Sequence, residues 1–291
     1  MKQCIKLLSL ILTISLLCSC AGKTPDGNDG TLNSVTEYNQ TESQEKDNGA
    51  NKGDVAAFSR EKKSHSYGVA KNGVPHEISV TAQKYFEDNS FKAFCLDTQT
   101  QKKVLYLTFD CGYENGYTSK ILDVLKEKNV PAAFFCTLND VRDNPDLIKR
   151  MINEGHIVGN HSVTHPSFAE ISRDQMKDEI VTFENYLKEN FNGYFEPYFR
   201  FPKGEYTDEA LDLVGKLGYF SVFWSLSYAD WDTNAQKGAD YAYEKVISRL
   251  HPGAVILLHS VSSDNAGAMA RIIDEARRQG YEFRSLRDFV N

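Results

Sequence analysis

The stretch KVLYLTFDCG, residues 103–112, decides how the chain is read. Large apolar residues run from Val104 to Phe109, interrupted only by Thr108, and stop on an acid, a thiol and a glycine. A run this short and this apolar reads as a strand buried on both faces, the kind found in parallel sheets. A buried strand ending on Asp110 and Cys111 carries a carboxylate and a thiol to the mouth of the sheet. Either can be filler, a catalytic base or a metal ligand.

The same signal recurs downstream, at 132–136 (AAFFC), 156–159 (HIVG), 198–202 (YFRFP), 219–224 (YFSVFW), 254–259 (GAVILLH with its glycine at 253) and 281–284 (YEFR). Helical words with apolar residues at i, i+3 and i+4 lie between most of them: 119–129, 145–155, 175–190, 209–218, 243–250 and 265–280. Three of these end at Gly155, Gly218 and Gly280, where glycine supplies a left-handed cap. Strand–helix alternation of this kind predicts a parallel sheet with helices outside it. Seven such units closing on themselves make a barrel one unit short of the familiar eight. An open doubly wound sheet is the alternative, but no Gly-rich dinucleotide fingerprint follows the first strand.

The first 102 residues read differently. Lys2 and Lys6 precede an apolar core from Leu7 to Leu17, followed by LCSC at 17–20. That is a secretory signal of lipoprotein type spanning 1–20, too short to cross a bilayer as a helix, with Cys20 as the residue to be lipidated. An ordinary signal with incidental cysteines is the plainer alternative, and Cys18 is a less usual neighbour than Ala or Ser. Residues 21–64 have a tether's composition: from Ala21 to Ala57 the one aromatic is Tyr38. Such a segment cannot bury enough apolar surface to offset its ordering entropy. Residues 65–102 contain apolar residues without a clean period, which predicts short irregular elements at the edge of a domain spanning 103–291.

These readings place the folded part outside the cell membrane, held there by a lipid anchor. Of the six cysteines in the chain, Cys4 and Cys18 leave with the signal and Cys20 is acylated. Cys95, Cys111 and Cys136 remain, an odd number that implies no disulfide framework. The net charge of -7 and pI near 5.6 exclude the basic footprint of a nucleic-acid binder.

In a parallel barrel, functional groups gather where strands end. Asp110 ends the first run, NHSVTH (160–165) follows the third, RFPKG (200–204) ends the fourth, SYADW (227–231) follows the fifth and His259 ends the sixth. His161 and His165, four residues apart, can meet one cation, and neutral imidazole suits zinc and its first-row neighbours. Two surface histidines are the bland alternative, weakened by the other polar groups gathered at the same mouth.

The ordered motifs TFDCG, HSVTH, RFPKG, ADW and LLH resemble those of the polysaccharide deacetylase family, carbohydrate esterase family 4, with its NodB homology domain. The words YLTFDCGYENGYT, NHSVTHP, VFWSLSYADW, QKG and LLHSVSSDNA are similar to the subgroup of delta-lactam-biosynthetic de-N-acetylases, which act on N-acetylmuramic acid in peptidoglycan. The likeness runs from about residue 70 to the end.

The resemblance implies a distorted (β/α)7 barrel and a hydrolase that removes acetyl groups with the help of a divalent metal, most naturally zinc. It implies Asp110 as catalytic base, His161 and His165 as metal ligands and Arg200 as the group that orients the base. It also implies the backbone N–H of Lys203 as oxyanion donor, His259 as the proton-donating acid and Asp230 as its tuner. Trp231 and Leu257 fit the walls of an acetyl pocket, although core packing accounts for them almost as well. The implied partners are peptidoglycan glycan strands and the membrane, for a monomer. One departure stands out: Cys111 occupies a position where the family usually has a second, metal-binding Asp, and Ser227 a position where an Asp is frequent. Cys111 as a thiolate ligand and Cys111 as a small packing residue both remain open. So do a deacetylase of another acetylated glycan and a glycan-binding relative without catalysis.

Overall fold

The computed structural model describes residues 58–100 and 102–289. The signal segment, Cys20 and the tether up to residue 57 lie outside the described residues.

The strand predicted at 103–109 is β3 (Val104–Cys111), preceded by β1 (Lys63–Ser64), α1 (Glu77–Asp88) and β2 (Ala93–Phe94). After it come α2 (Thr118–Lys128), β4 (Ala132–Cys136), α3 (Leu138–Asp143), α4 (Pro145–Asn153), β5 (Ile157–Asn160) and α5 (Arg173–Asn190). The chain continues through β6 (Tyr198–Phe199), β7 (Glu205–Tyr206), α6 (Asp208–Lys216), β8 (Phe220–Val222), α7 (Ala239–Ile247), β9 (Ala254–His259), α8 (Ser263–Arg278) and β10 (Glu282–Phe283).

The middle of the sheet is β3. It pairs in parallel with β4 on one edge and with β9, over Leu105–Asp110, on the other. From β4 the sheet continues through β5, β6 and β8. The chain just past β8 then returns to β9, where the Ser225 N–H donates to the Val255 carbonyl (3.0 Å) and the Leu257 N–H to that of Leu226 (2.9 Å). These bonds close the curled sheet into a distorted (β/α)7 barrel. Every run predicted as a strand forms one, and Gly155, Gly218 and Gly280 all have positive φ at their helix ends.

The strict two-residue period of a strand sorts the core into two layers. Leu105, Leu107, Phe109 and Cys111 face outward and pack with Ile121, Leu122 and Leu125 of α2 and with Met269, Ile272 and Ile273 of α8. Val104 and Tyr106 face inward among Phe135, Phe199, Phe201, Phe223 and Leu257. Thr108 and Asp110 share that inward parity, so the polar end of the strand opens into the barrel. The interior is tight enough to require a glycine: a Cβ on Gly159 of β5 would stand 2.7 Å from the Phe135 ring.

Two expectations for the N-terminal part need correcting. Residues 65–102 carry a regular helix, α1, invisible to hydrophobic periodicity because its buried stripe is Ser79, Gln83 and Phe86. The Gln83 Oε1 accepts the N–H groups of Cys95 (2.9 Å) and Leu96 (3.2 Å), so a polar side chain does the work of an apolar one. Residues 58–64, expected in the tether, belong to the folded unit. There β1 pairs antiparallel with β7, the Phe58 ring lies 5.6 Å from that of Phe91, and the Ser59 carbonyl accepts from the Glu209 N–H.

Candidate active site

At the C-terminal mouth of the barrel lies a cavity of about 710 Å³, within the range typical of small-ligand sites. Asp110, His161, His165, Lys203, Leu257 and His259 all line it, although they come from four different segments of the chain.

Asp110 projects from the end of β3, its Oδ1 accepting from Arg200 Nη1 at 2.8 Å. Arg200 is 0% exposed, and burying an arginine is costly unless its donors are satisfied. Nη2 donates to Thr108 Oγ1 (2.9 Å) and Nε to the Val222 carbonyl (3.0 Å), while the guanidinium lies 4.2 Å from the Phe135 ring centroid. Arg200 is therefore fixed, and it fixes Asp110. Burial alone would raise the Asp110 pKa, but Arg200, His161 and His259 together hold it below the ordinary carboxylate value.

His161 and His165 meet across a strained loop after β5. Ser162 (φ 70°) and His165 (φ 60°) both adopt left-handed backbone without being glycine, a conformation that costs on the order of 1–3 kcal/mol per residue and concentrates at functional sites. Glu179 of α5 holds the loop in shape, its carboxylate accepting the N–H groups of Val163 and Thr164 at 2.8 Å each and the Thr164 hydroxyl at 2.6 Å. The two imidazole rings lie 4.8 Å apart at 72°. The Arg200 carbonyl, 2.8 Å from His161 Nδ1, can only accept, which places the proton on Nδ1 and leaves the Nε2 lone pair free, 3.5 Å from Asp110 Oδ2. Burial lowers the pKa of both histidines, that of His165 to about 4, so both are neutral near pH 7. Two neutral nitrogens beside a carboxylate fit a divalent metal.

Opposite them, His259 ends β9. Its Nδ1–H donates to Asp230 Oδ1 at 2.7 Å and its backbone N–H to Oδ2 at 2.8 Å, which leaves Nε2 toward the cavity. Burial lowers the His259 pKa, but the Asp230 hydrogen bond and charge outweigh it and the net shift is upward. Asp230 lies behind His259 as Arg200 lies behind Asp110. A residue the sequence reading missed completes this side. Asn265, buried at the start of α8, donates through Nδ2 to Asp230 Oδ2 (2.6 Å) and to the His259 carbonyl (3.1 Å), while its Oδ1 accepts from the Tyr228 hydroxyl (2.6 Å). The Tyr228 bond sets which end of the amide faces Asp230.

Lys203 sits on the cavity wall in a left-handed turn (φ 60°), followed by Gly204 (φ 66°), where a Cβ would stand 2.8 Å from the Trp224 ring. Leu257 forms a buried wall, and Trp231 stands at the rim, 60% exposed. Tyr67, from the segment expected to be irregular, lines the same cavity.

Cys111 is the one predicted candidate that the structure does not bring to this mouth. With Asp110 pointing in, the strand period turns Cys111 out, and it lies in the outer core layer. Among the described residues, the three-donor group that contains it is Cys111, Cys136 and Asp140, without either histidine.

A catalytic-type carboxylate, an imidazole pair and a carboxylate-backed histidine at the mouth of this barrel define a class of hydrolase, and the comparisons identify it. The chain belongs to the polysaccharide deacetylase family, whose description matches residues 97–222. It is 46% identical over 200 residues, covering 69% of this chain and 76% of the relative, to the peptidoglycan-N-acetylmuramic acid deacetylase PdaA of Bacillus subtilis. The solved structure of that PdaA, a family 4 carbohydrate esterase, superposes with a TM-score of 0.76 at 41% identity, covering 80% of this chain and 98% of that one. A peptidoglycan-N-acetylglucosamine deacetylase of Bacillus cereus is 33% identical over 200 residues, with 67% of this chain and 70% of the relative covered.

Proposed function

We propose that the chain hydrolyses the acetamide of N-acetylmuramic acid residues in peptidoglycan. The observation that carries this reading is the opposed pair at the cavity: Asp110 held as a carboxylate by Arg200, and His259 held toward its protonated form by Asp230. Amide hydrolysis needs a base for the water nucleophile and an acid for a poor amine leaving group. Asp110 takes the proton from water as the C–O bond forms. His259 Nε2 delivers a proton to nitrogen as the C–N bond breaks, leaving acetate and a free amine on the sugar. The backbone N–H of Lys203 donates to the oxyanion, a contribution typically worth about 3–4 kcal/mol. His161 and His165 would hold a divalent metal, zinc by donor chemistry, which when bound supplies Lewis acidity to the acetyl oxygen and the attacking water.

The muramic preference is supported by the printed activity of the 46% identical relative. It is also supported by Lys203, the one Lys or Arg among the residues lining the cavity, whose side chain can meet the lactyl carboxylate that glucosamine lacks. The amine left next to that carboxyl can close to the delta-lactam in a separate step. Retention of base, acid and both of their buried partners speaks against a purely glycan-binding role. The test is acetate release from peptide-stripped glycan by wild type, Asp110→Asn and His259→Ala. Equal release by all three would end this reading.

Outside the membrane is where this substrate lies, and lipidation at Cys20 would keep the enzyme there. A Cys20→Ser variant should shift from the membrane fraction to the medium. Retention in the membrane would refute the anchor.

A further inference from the structure

Behind the strand end that carries Asp110, on the helix side of the sheet, Cys111 and Cys136 are directly paired in register between β3 and β4. Asp140 reaches the same point from α3, and one donor atom from each of the three lies within 4.8 Å of the others. All three residues are buried. The arrangement is built rather than incidental. The Thr137 N–H donates to the Cys111 carbonyl (3.0 Å), its hydroxyl donates to the Gly112 carbonyl (3.2 Å), and the same hydroxyl accepts the Asp140 N–H (3.3 Å). The Asp140 Oδ1 accepts from Asn144 Nδ2 at 2.9 Å. Among the described residues, no hydrogen bond reaches its other oxygen and no Lys or Arg pairs with it. A carboxylate is rarely buried unless paired, so the cluster has two soft donors, one hard donor and no counter-charge.

We propose that Cys111, Cys136 and Asp140 form a second metal site, separate from the histidine pair, that takes a thiophilic divalent ion of the zinc class. Two thiolates on one tetrahedral zinc stand about 3.8 Å apart at bonds of about 2.3 Å, so the donors need to close by no more than about an ångström. Each thiol releases its proton to solvent on binding, and the two thiolates with the Asp140 carboxylate bind the dication; water takes the fourth position. The ion would clasp the ends of β3 and β4 immediately behind the residue that lines the cavity. A disulfide between the two thiols would leave Asp140 buried without a positive partner, which a bound dication supplies. The inference does not depend on the deacetylase reading, and its test does not read activity.

The experiment is cobalt(II) titration of the reduced, metal-stripped full chain. A thiolate-to-cobalt charge-transfer band should saturate within two equivalents in the wild type and at one equivalent in a His161→Ala/His165→Ala variant, and fall at least twofold in Cys111→Ser and in Cys136→Ser. Zinc X-ray absorption of the wild type, which needs no variant to fold, should contain a sulfur shell at about 2.3 Å. A spectrum with nitrogen and oxygen neighbours alone would overturn the proposal. So would loss of the band in the double histidine variant, which would move Cys111 to the histidine site, or a Cys111–Cys136 disulfide in protein isolated without reductant.

Discussion

Asp230 binds His259 twice, through its side chain at 2.7 Å and its backbone at 2.8 Å, so one buried carboxylate sets both the charge and the position of the cavity's histidine. The raised pKa that results has a definite sign. The stabilisation from the protonated pair is fully present below the unfolded-state histidine value of about 6.5 and is lost as pH rises through the higher folded value. If His259 is the acid, the alkaline limb of kcat against pH lies above about 6.5. In Asp230→Asn it moves to lower pH and the maximum falls. A limb that stays in place in the variant would assign it to another group.

Asn265 is a positioning residue, acting through Asp230. Hydrogen bonds to charged groups contribute roughly 1.5–3 kcal/mol, so Asn265→Ala should lower kcat by about 10- to 100-fold. KM should change little, and the alkaline limb should move to higher pH, opposite to Asp230→Asn, because an Asp230 relieved of this donor holds the imidazolium proton more strongly. Tyr228→Phe frees the amide to flip and should give a smaller loss of the same kind. Steady-state kinetics across pH separate this role from plain destabilisation, which would leave the limb unmoved.

Arg200 has no route to water. Replacing it with Met leaves Asp110 and the Val222 carbonyl buried without their donor. Removing one partner of a buried ion pair costs about 3–5 kcal/mol, so Arg200→Met should unfold at markedly lower denaturant. The double variant Arg200→Met/Asp110→Asn should recover part of the loss, because the unpaired charge is gone. No recovery in urea titrations would show that packing, and not charge, dominates at this position.

Gly159→Ala tests the tightness of the barrel. The added methyl meets the Phe135 ring at 2.7 Å, and that ring also stacks on the Arg200 guanidinium. Overpacking of this kind costs typically 1–3 kcal/mol, with a matching fall in Tm by calorimetry. An unchanged Tm would mean that Phe135 has room to move.

Much of this site was legible in the chain before folding. Strand runs alternating with helical words placed Asp110, His161, His165, Arg200 and His259 at strand ends, and a parallel barrel brings strand ends to one mouth. What escaped has physical reasons. Cys111 neighbours Asp110 in sequence, yet adjacent residues of a strand face opposite sides, so that adjacency argues against a shared site. Helix α1 hid because Ser79 and Gln83 occupy its buried stripe. Asn265 and Glu179 act by hydrogen-bonding elements distant in sequence, and no local pattern marks a polar helical residue as facing inward. The left-handed turns at Ser162 and His165 were equally invisible, since neither residue is a glycine.

The most direct test of the central claim is product analysis of peptide-stripped peptidoglycan glycan after incubation with the zinc-loaded enzyme. Digestion to disaccharides and mass spectrometry locate each lost acetyl group. The account predicts loss on muramic acid residues, reduced on the order of 10²–10⁴-fold in Asp110→Asn, with glucosamine residues untouched. Acetyl loss confined to glucosamine, or none from either sugar, would contradict it.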